Sequence, residues 1–298
     1  MERITLNNGA LSFSALACGP ADGVVVLLLH GFPDNPHTFS GPLKALGDAG
    51  YRAIAPTLRG YEPSSQPVDG DYRVGSLARD LLAWIDELGA AKVHLVGHDW
   101  GAAVASVACA LVPDRFHSLT TMAVPHLPRV KRNAWRVPLQ VINSSYIVFF
   151  QLPWLPEWLL SVNEWAVTRW MWSVWTGSGS VSDADWANRR KTFDAPGVRR
   201  AMLAYYRQNA SIGVALGLVR SELFSLTTVP VRTLALAGEE DGCMDVRMFE
   251  YAFRDEDFPC GVRVQRVANA GHFMHLDAPD VVNEALLMWL GLPEGHPQ

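Results

Sequence analysis

The pentapeptide Gly97-His98-Asp99-Trp100-Gly101 carries the strongest chemical signal in the chain. It stands directly after the apolar run Val93-His94-Leu95-Val96 and directly before an alanine-rich helical run that opens at Ala102, so it spans a strand-to-helix turn. Such a turn strains its central residue and lets the surrounding backbone approach only where the flanking residues are small, as the two glycines are. Asp99 occupies the centre. A carboxylate in that place attacks saturated carbon, opening a strained ring or displacing a leaving group, and an alkyl ester on the protein results. Water must then hydrolyse the ester, which calls for a base, an acid that orients the base, and N–H donors for the oxyanion formed on the Asp99 carboxyl group.

Candidates for each part are present. The base is His272 in Asn269-Ala270-Gly271-His272-Phe273, a loop after the last expected strand, with His275 the nearest competitor and His98 inside the turn itself. The orienting acid belongs after the preceding strand, where Gly238-Glu239-Glu240-Asp241-Gly242 stands; Asp241 is preferred, and spacing alone leaves Glu239, Glu240 and Asp245 open. The oxyanion donors are the backbone N–H groups of Trp100 and of Phe32, the latter in His30-Gly31-Phe32-Pro33-Asp34 after the first buried strand.

The elements that must position these residues follow a regular alternation. Runs at about 3–7 and 11–18 read as a hairpin around Asn7-Asn8-Gly9, and Val24 to His30 reads as a strand buried on both faces. Helical patterns near 38–49 and 72–88, a strand over Arg52 to Pro56, a strand over Lys92 to Gly97, a helix over Gly101 to Leu111 and a strand near 118–124 complete a parallel α/β series. The pattern breaks at Pro125. About a hundred helical residues follow, holding eight of the eleven tryptophans, and then apolar strands over Val231 to Ala237 and Gly261 to Val267 and a closing helix over Val281 to Leu290 resume the series. The spacing predicts an α/β core, 1–124 and 229–298, with a helical cap, 125–228, inserted between its two parts.

Composition bounds the partners. The formal charge of −5 comes with no basic run able to track a phosphate backbone, so nucleic acid is not expected. The start of the chain lacks the apolar core of a signal peptide, and the most apolar short run, Val24 to Leu29, is far below the roughly 18 to 20 residues of a membrane span. A cytoplasmic protein with no membrane partner is expected. Cys18, Cys109, Cys243 and Cys260 lie far apart without metal-ligand spacing, so reduced thiols and no structural zinc are expected.

Taken together, the strings His30 to Pro33, Arg59-Gly60-Tyr61 with Ser64-Ser65, Gly97 to Gly101 and Gly271-His272 stand in the order of the α/β-hydrolase superfamily, and the chain resembles its soluble epoxide hydrolases over nearly its full length. The resemblance implies an α/β-hydrolase fold, a mostly parallel sheet flanked by helices with an inserted cap, and hydrolysis of an epoxide to a diol without cofactor or metal. It further implies two cap tyrosines that hydrogen-bond and protonate the epoxide oxygen. Tyr146 stands in Tyr146-Ile147-Val148-Phe149-Phe150-Gln151-Leu152-Pro153, matching the first string, and Tyr206 stands immediately before Arg207, with Tyr205 its neighbour and competitor. Two departures are visible. Glu62-Pro63 follows Arg59-Gly60-Tyr61 where the family often has glycine, and Asp34 stands where a longer acid, usually Glu, helps place the hydrolytic water. The aromatic cap implies apolar epoxides, while oligomeric state stays open. Haloalkane dehalogenases share the Asp nucleophile and the following tryptophan, but Phe32 offers no side-chain donor for a halide and Pro125-His126 is not acidic. A ligand receptor of the same fold would have no use for the whole set of nucleophile, base, acid and donors.

Overall fold

The computed structural model describes residues 1–177 and 181–291, so the last core stretch, expected to run to 298, is described as far as Gly291. The apolar runs pair into a single sheet of eight strands: β1 (Glu2–Asn8), β2 (Leu11–Cys18), β3 (Val25–Leu29), β4 (Arg52–Pro56), β5 (Val93–His98), β6 (Phe116–Met122), β7 (Thr233–Gly238) and β8 (Val262–Val267). Their spatial order is β1-β2-β4-β3-β5-β6-β7-β8. β1 and β2 form the expected hairpin, closed by Gly9 at a φ of 58°, and β2 joins β4 antiparallel while all later pairs are parallel.

Alternation along the buried strands divides the core in two. Val25, Leu27 and Leu29 of β3 face one apolar cluster with the helices Val74–Glu87 and Trp100–Leu111, whereas Val26 and Leu28 face the other with the helices Ser40–Asp48 and Pro279–Leu290. Each leucine so buried contributes roughly 1.5 to 3 kcal/mol. A strand apolar on both faces can persist only between two helical layers.

One strand departs from its expected character. Gly261 to Val267 reads as apolar, yet β8 is mostly exposed because it lies at the sheet edge, where Arg263, Gln265 and Arg266 remain in solvent. Between Met122 and Thr233 no strand occurs among the described residues. Helices fill the interval, including Ser145–Phe149, Leu155–Trp175, Asp183–Phe193 and Val198–Asn209, the second broken where Asn163, Glu164 and Trp165 take left-handed backbone. The tryptophans of this interval split evenly. Trp165, Trp172, Trp175 and Trp186 are buried, while Trp135, Trp154, Trp158 and Trp170 are exposed. Among the described residues no helix is long and apolar enough to cross a membrane.

The chain leaves β3 towards β4 on one side and leaves β5 towards β6 on the other, although β3 and β5 are neighbours. A crevice therefore opens beyond their carboxyl ends. The glycines there allow a backbone approach that no other residue permits. A Cβ on Gly101 would lie 2.0 Å from the Leu29 carbonyl oxygen, and one on Gly97 would lie 2.5 Å from the Gly101 carbonyl. Gly101→Ala is expected to lower stability by about 3 kcal/mol through overpacking against rigid backbone. Urea denaturation measures this, and an unchanged midpoint would mean that β3 yields.

Candidate active site

Asp99 closes β5 and caps the helix Trp100–Leu111 with φ 49° and ψ −122°, a left-handed conformation that costs a non-glycine residue about 1 to 3 kcal/mol. The strain turns the carboxylate into the crevice. Its Oδ1 accepts a 2.7 Å hydrogen bond from the backbone N–H of Phe32, in the loop after β3. Gly31 makes that contact possible, since a Cβ there would sit 2.3 Å from Oδ1 and 2.7 Å from the Trp100 backbone nitrogen. Of the two expected oxyanion donors, the Phe32 N–H thus meets the carboxylate directly, and the Trp100 amide nitrogen closes on the same Gly31.

On the other side, Oδ2 of Asp99 is 3.6 Å from Nε2 of His272, and the opposite ring nitrogen, Nδ1, is 2.9 Å from Oδ2 of Asp241. Asp241 is itself fixed, because its Oδ1 accepts from the backbone N–H groups of Cys243 and Met244 at 2.7 and 2.8 Å. The alternatives go elsewhere. Asp245 pairs with Arg247, and Glu239 and Glu240 point to solvent. Burial alone would depress the His272 imidazolium, but the Asp241 and Asp99 carboxylates outweigh it and hold its pKa up to about 10. Burial works against the Asp99 carboxylate as well, and the facing His272 nevertheless lowers its pKa. The two facing carboxyl groups thus favour the protonated form of the His272 ring.

The rival histidines have structural partners. His98 donates from Nε2 to the His272 carbonyl at 2.9 Å, and burial brings its pKa down to about 3, so it is a neutral prop behind the base. His275 bonds through Nε2 to the Thr38 hydroxyl at 2.6 Å. The His272 amide completes the support by donating to the Trp175 carbonyl at 2.7 Å.

The tyrosines are also sorted by their partners. Tyr205 donates its hydroxyl to the Arg59 carbonyl at 2.6 Å. Tyr206 has a buried hydroxyl with no hydrogen-bond partner among the described residues, and its ring packs edge-on against Phe32, Trp100 and Phe150. Tyr146 stands beside it, with ring centroids 5.8 Å apart and its hydroxyl 3.6 Å from the Cys243 sulfur. Burial pushes both phenols well above their ordinary range, with the Asp99 charge adding to it, so each remains a neutral donor. The liganding atoms of Asp241, Cys243 and His272 lie within 4.8 Å of one another. Hydrogen bonds already hold both Asp241 oxygens and Nδ1 of His272, and burial keeps the Cys243 thiol protonated, so the trio is a hydrogen-bonded set rather than a prepared metal centre.

Several supporting residues carry no local signal in the sequence. Arg189, from the helix Asp183–Phe193, donates from Nε to Oδ1 of buried Asp34 at 2.8 Å and lies 4.3 Å over the Trp172 ring, which stacks on Phe273 with centroids 3.5 Å apart. Asp277 accepts from the Gly271 amide and the Thr176 hydroxyl, tying the histidine loop to the end of the helix Leu155–Trp175. Cys243 touches Tyr146. The links Asp34–Arg189, Trp172–Phe273 and Thr176–Asp277 join residues more than a hundred positions apart, and Tyr146–Cys243 spans 97, so only the folded chain reveals them.

Residues 24–279 match the family model described as the alpha/beta hydrolase fold. The chain is 31% identical to the AB hydrolase superfamily protein YfhM of Bacillus subtilis, with 96% of each chain covered. It is 31% identical to Epoxide hydrolase 4 of Homo sapiens, over 98% of this chain and 78% of that protein. Among solved structures, the Bacillus megaterium epoxide hydrolase in complex with an inhibitor superposes with a TM-score of 0.84 at 22% identity, covering 97% of this chain and 100% of that one, which speaks for the fold.

Two outcomes are expected from this geometry. The His272 imidazolium, raised from 6.5 to about 10, contributes stability that is fully present below pH 6.5 and is lost as the pH rises through about 10. An NMR titration of the ring nitrogens should therefore show His272 losing its proton far above the other histidines, and a midpoint near 6.5 would contradict the arrangement. Arg189→Met should cost roughly 3 to 5 kcal/mol in urea denaturation by stranding a buried carboxylate, with most of it recovered when Asp34→Asn is added.

Proposed function

The chain belongs to the α/β-hydrolase fold family and, within it, to the epoxide hydrolases, and from that premise we propose that it converts an apolar epoxide and water to a vicinal diol through an ester on Asp99. The observation that supports this reading best is the divided Asp99 carboxylate, one oxygen bonded to the Phe32 N–H at 2.7 Å and the other 3.6 Å from Nε2 of His272. Oδ2 is then the nucleophile. Oδ1 already rests in the cradle where the oxyanion of the second step will form, with the Phe32 and Trp100 N–H groups as its donors.

In the first step Oδ2 attacks one epoxide carbon, the ring C–O bond breaks, and the departing oxygen takes a proton from the hydroxyl of Tyr146 or Tyr206. An alkoxide leaves slowly at neutral pH, so neutral phenols poised at that oxygen lower the barrier. The tyrosine recovers its proton from the His272 imidazolium. Ester formation also removes the Asp99 charge, one of the two that held that proton, and leaves His272 a neutral base oriented by Asp241. In the second step His272 takes a proton from water, the hydroxide adds to the Asp99 carboxyl carbon, and the C–O bond to the substrate breaks as the departing oxygen takes the proton of the newly added hydroxyl, releasing the diol. Asp99 returns as carboxylate and His272 as imidazolium, so the proton count closes.

In this reading residues 125–228 serve as a cap that carries both tyrosines, and 1–124 with 229–298 serve as the core that carries nucleophile, acid and base. Phe32, Phe150 and Trp175 around the two phenols favour an apolar, desolvated epoxide. Asp34 has only Oδ2 left for a water, because Oδ1 is occupied by Arg189 and the Asn35 amide. Unchanged ester hydrolysis in Asp34→Asn would remove it from water placement.

Incubation with styrene oxide and, separately, a 1-haloalkane is the direct test. Diol without halide is expected, with heavy oxygen from water appearing first in Asp99 during a single turnover. Halide without diol would assign the chain to dehalogenation, and neither product over several epoxides would favour a ligand receptor. His272→Gln should accumulate the alkyl-enzyme, detectable by intact mass. Tyr146→Phe and Tyr206→Phe should slow alkylation about 10²- to 10³-fold while sparing ester hydrolysis. The pH profile of ester hydrolysis should rise with an apparent pKa below that of His272 in the free enzyme.

A further inference from the structure

We propose that the outer face of the helical segment docks on an anionic lipid surface, through an apolar groove of about 340 Å³ walled by Val141, Val148 and Ile212 and lined by Lys131, with Arg132 and Arg136 close by in the chain. The groove is concave and its apolar walls lie in the open. Val141, Val148 and Ile212 are 61%, 62% and 55% exposed, and Ile142 and Leu216, which follow the lining residues Val141 and Ala215 in the chain, are exposed as well. Monomeric soluble proteins rarely leave a contiguous apolar face of this kind uncovered. The helix Ser145–Phe149 forms part of the wall through Ile147 and Val148, so its outward side meets the groove while Tyr146 packs inward on Tyr206.

Charge selects the occupant. The stretches 126–156 and 195–221, which supply most of the lining, contain eight lysines and arginines and no aspartate or glutamate; Arg129 and Arg207 pair with Asp257 and Glu157 from outside them, which leaves six for the surface, in a chain whose overall charge is −5. Lys131 lines the groove and donates to the Val214 carbonyl, and Arg136, two residues beyond the lining Ala134, lies over the exposed Trp135 ring; neither is in an ion pair with a carboxylate among the described residues. Exposed tryptophan, basic side chains and apolar residues on one face are the composition of a surface that rests at the boundary of headgroups and acyl chains. A second copy docked through the same face would set these like charges against one another. A peripheral contact of this type needs no spanning helix, and it departs from the expectation of no membrane partner, which weighed spanning segments alone.

The purified full chain is mixed with vesicles of phosphatidylcholine alone or of equimolar phosphatidylcholine and phosphatidylglycerol, and the bound fraction is read by co-sedimentation. Binding to the mixed vesicles only, released by molar salt, is expected. Val141→Asp with Ile142→Asp, and separately Arg132→Glu with Arg136→Glu, should each lower the bound fraction roughly tenfold, with circular dichroism and epoxide turnover in free solution unchanged. Absence of binding to the mixed vesicles, or undiminished binding of the Val141→Asp/Ile142→Asp variant, would overturn the proposal. So would a lipid-free dimer in analytical ultracentrifugation that the same variant converts to monomer, which would assign the face to a second copy.

Discussion

A buried imidazolium between two buried carboxylates sets the terms for everything around it. Each of Asp99, His272 and Asp241 would by itself be costly to keep charged in the interior, and each is tolerated because of the others. The mutual dependence demands placement to within a few tenths of an ångström from three separate loops. The sheet meets that demand by bringing the carboxyl ends of β3, β5, β7 and β8 to one edge. His98, the Trp175 carbonyl and the amides of Cys243 and Met244 then bind the backbone and side chains of the set from behind.

The same requirement explains how the helical segment is fastened. In the proposed reaction it presents Tyr146 and Tyr206 to the epoxide oxygen beside Asp99, where a phenol displaced by an ångström would be useless. Polar ties across the junction give the fixed registry that apolar contact alone leaves loose. Arg189 grips Asp34, Asp277 grips Thr176 and Gly271, and Trp172 lies flat on Phe273 next to the base. Burial keeps both phenols neutral, so the enclosure that excludes water also preserves the proton to be donated.

Seen from outside, the segment has a second character. Half of its tryptophans are buried, Trp175 against His272 and Tyr146 among them, while the other half remain exposed, Trp135 beneath the Arg136 guanidinium. An apolar substrate and an apolar outer face are chemically compatible, since compounds of that type partition into lipid.

Much of this was legible in the sequence. The pentapeptide 97–101 between a strand and a helix identifies Asp99, because a strained turn with small neighbours needs those residue types at those positions, and the alternation of elements dictates a parallel sheet flanked by helices. Local pattern could not choose among Glu239, Glu240, Asp241 and Asp245, or between Tyr205 and Tyr206. Those choices turn on which side chain meets a partner from a remote part of the chain: Asp241 reaches His272, Asp245 is spent on Arg247, and Tyr205 is spent on the Arg59 carbonyl. The exposure of β8 fits its place at the sheet edge, and Arg263, Gln265 and Arg266 within it already mark a strand that is not buried on both faces. Residue types and spacing determine which chemistry is possible, since they specify strain and polarity locally. Tertiary structure alone decides which groups carry it, because hydrogen bonds and charges act through space rather than along the chain.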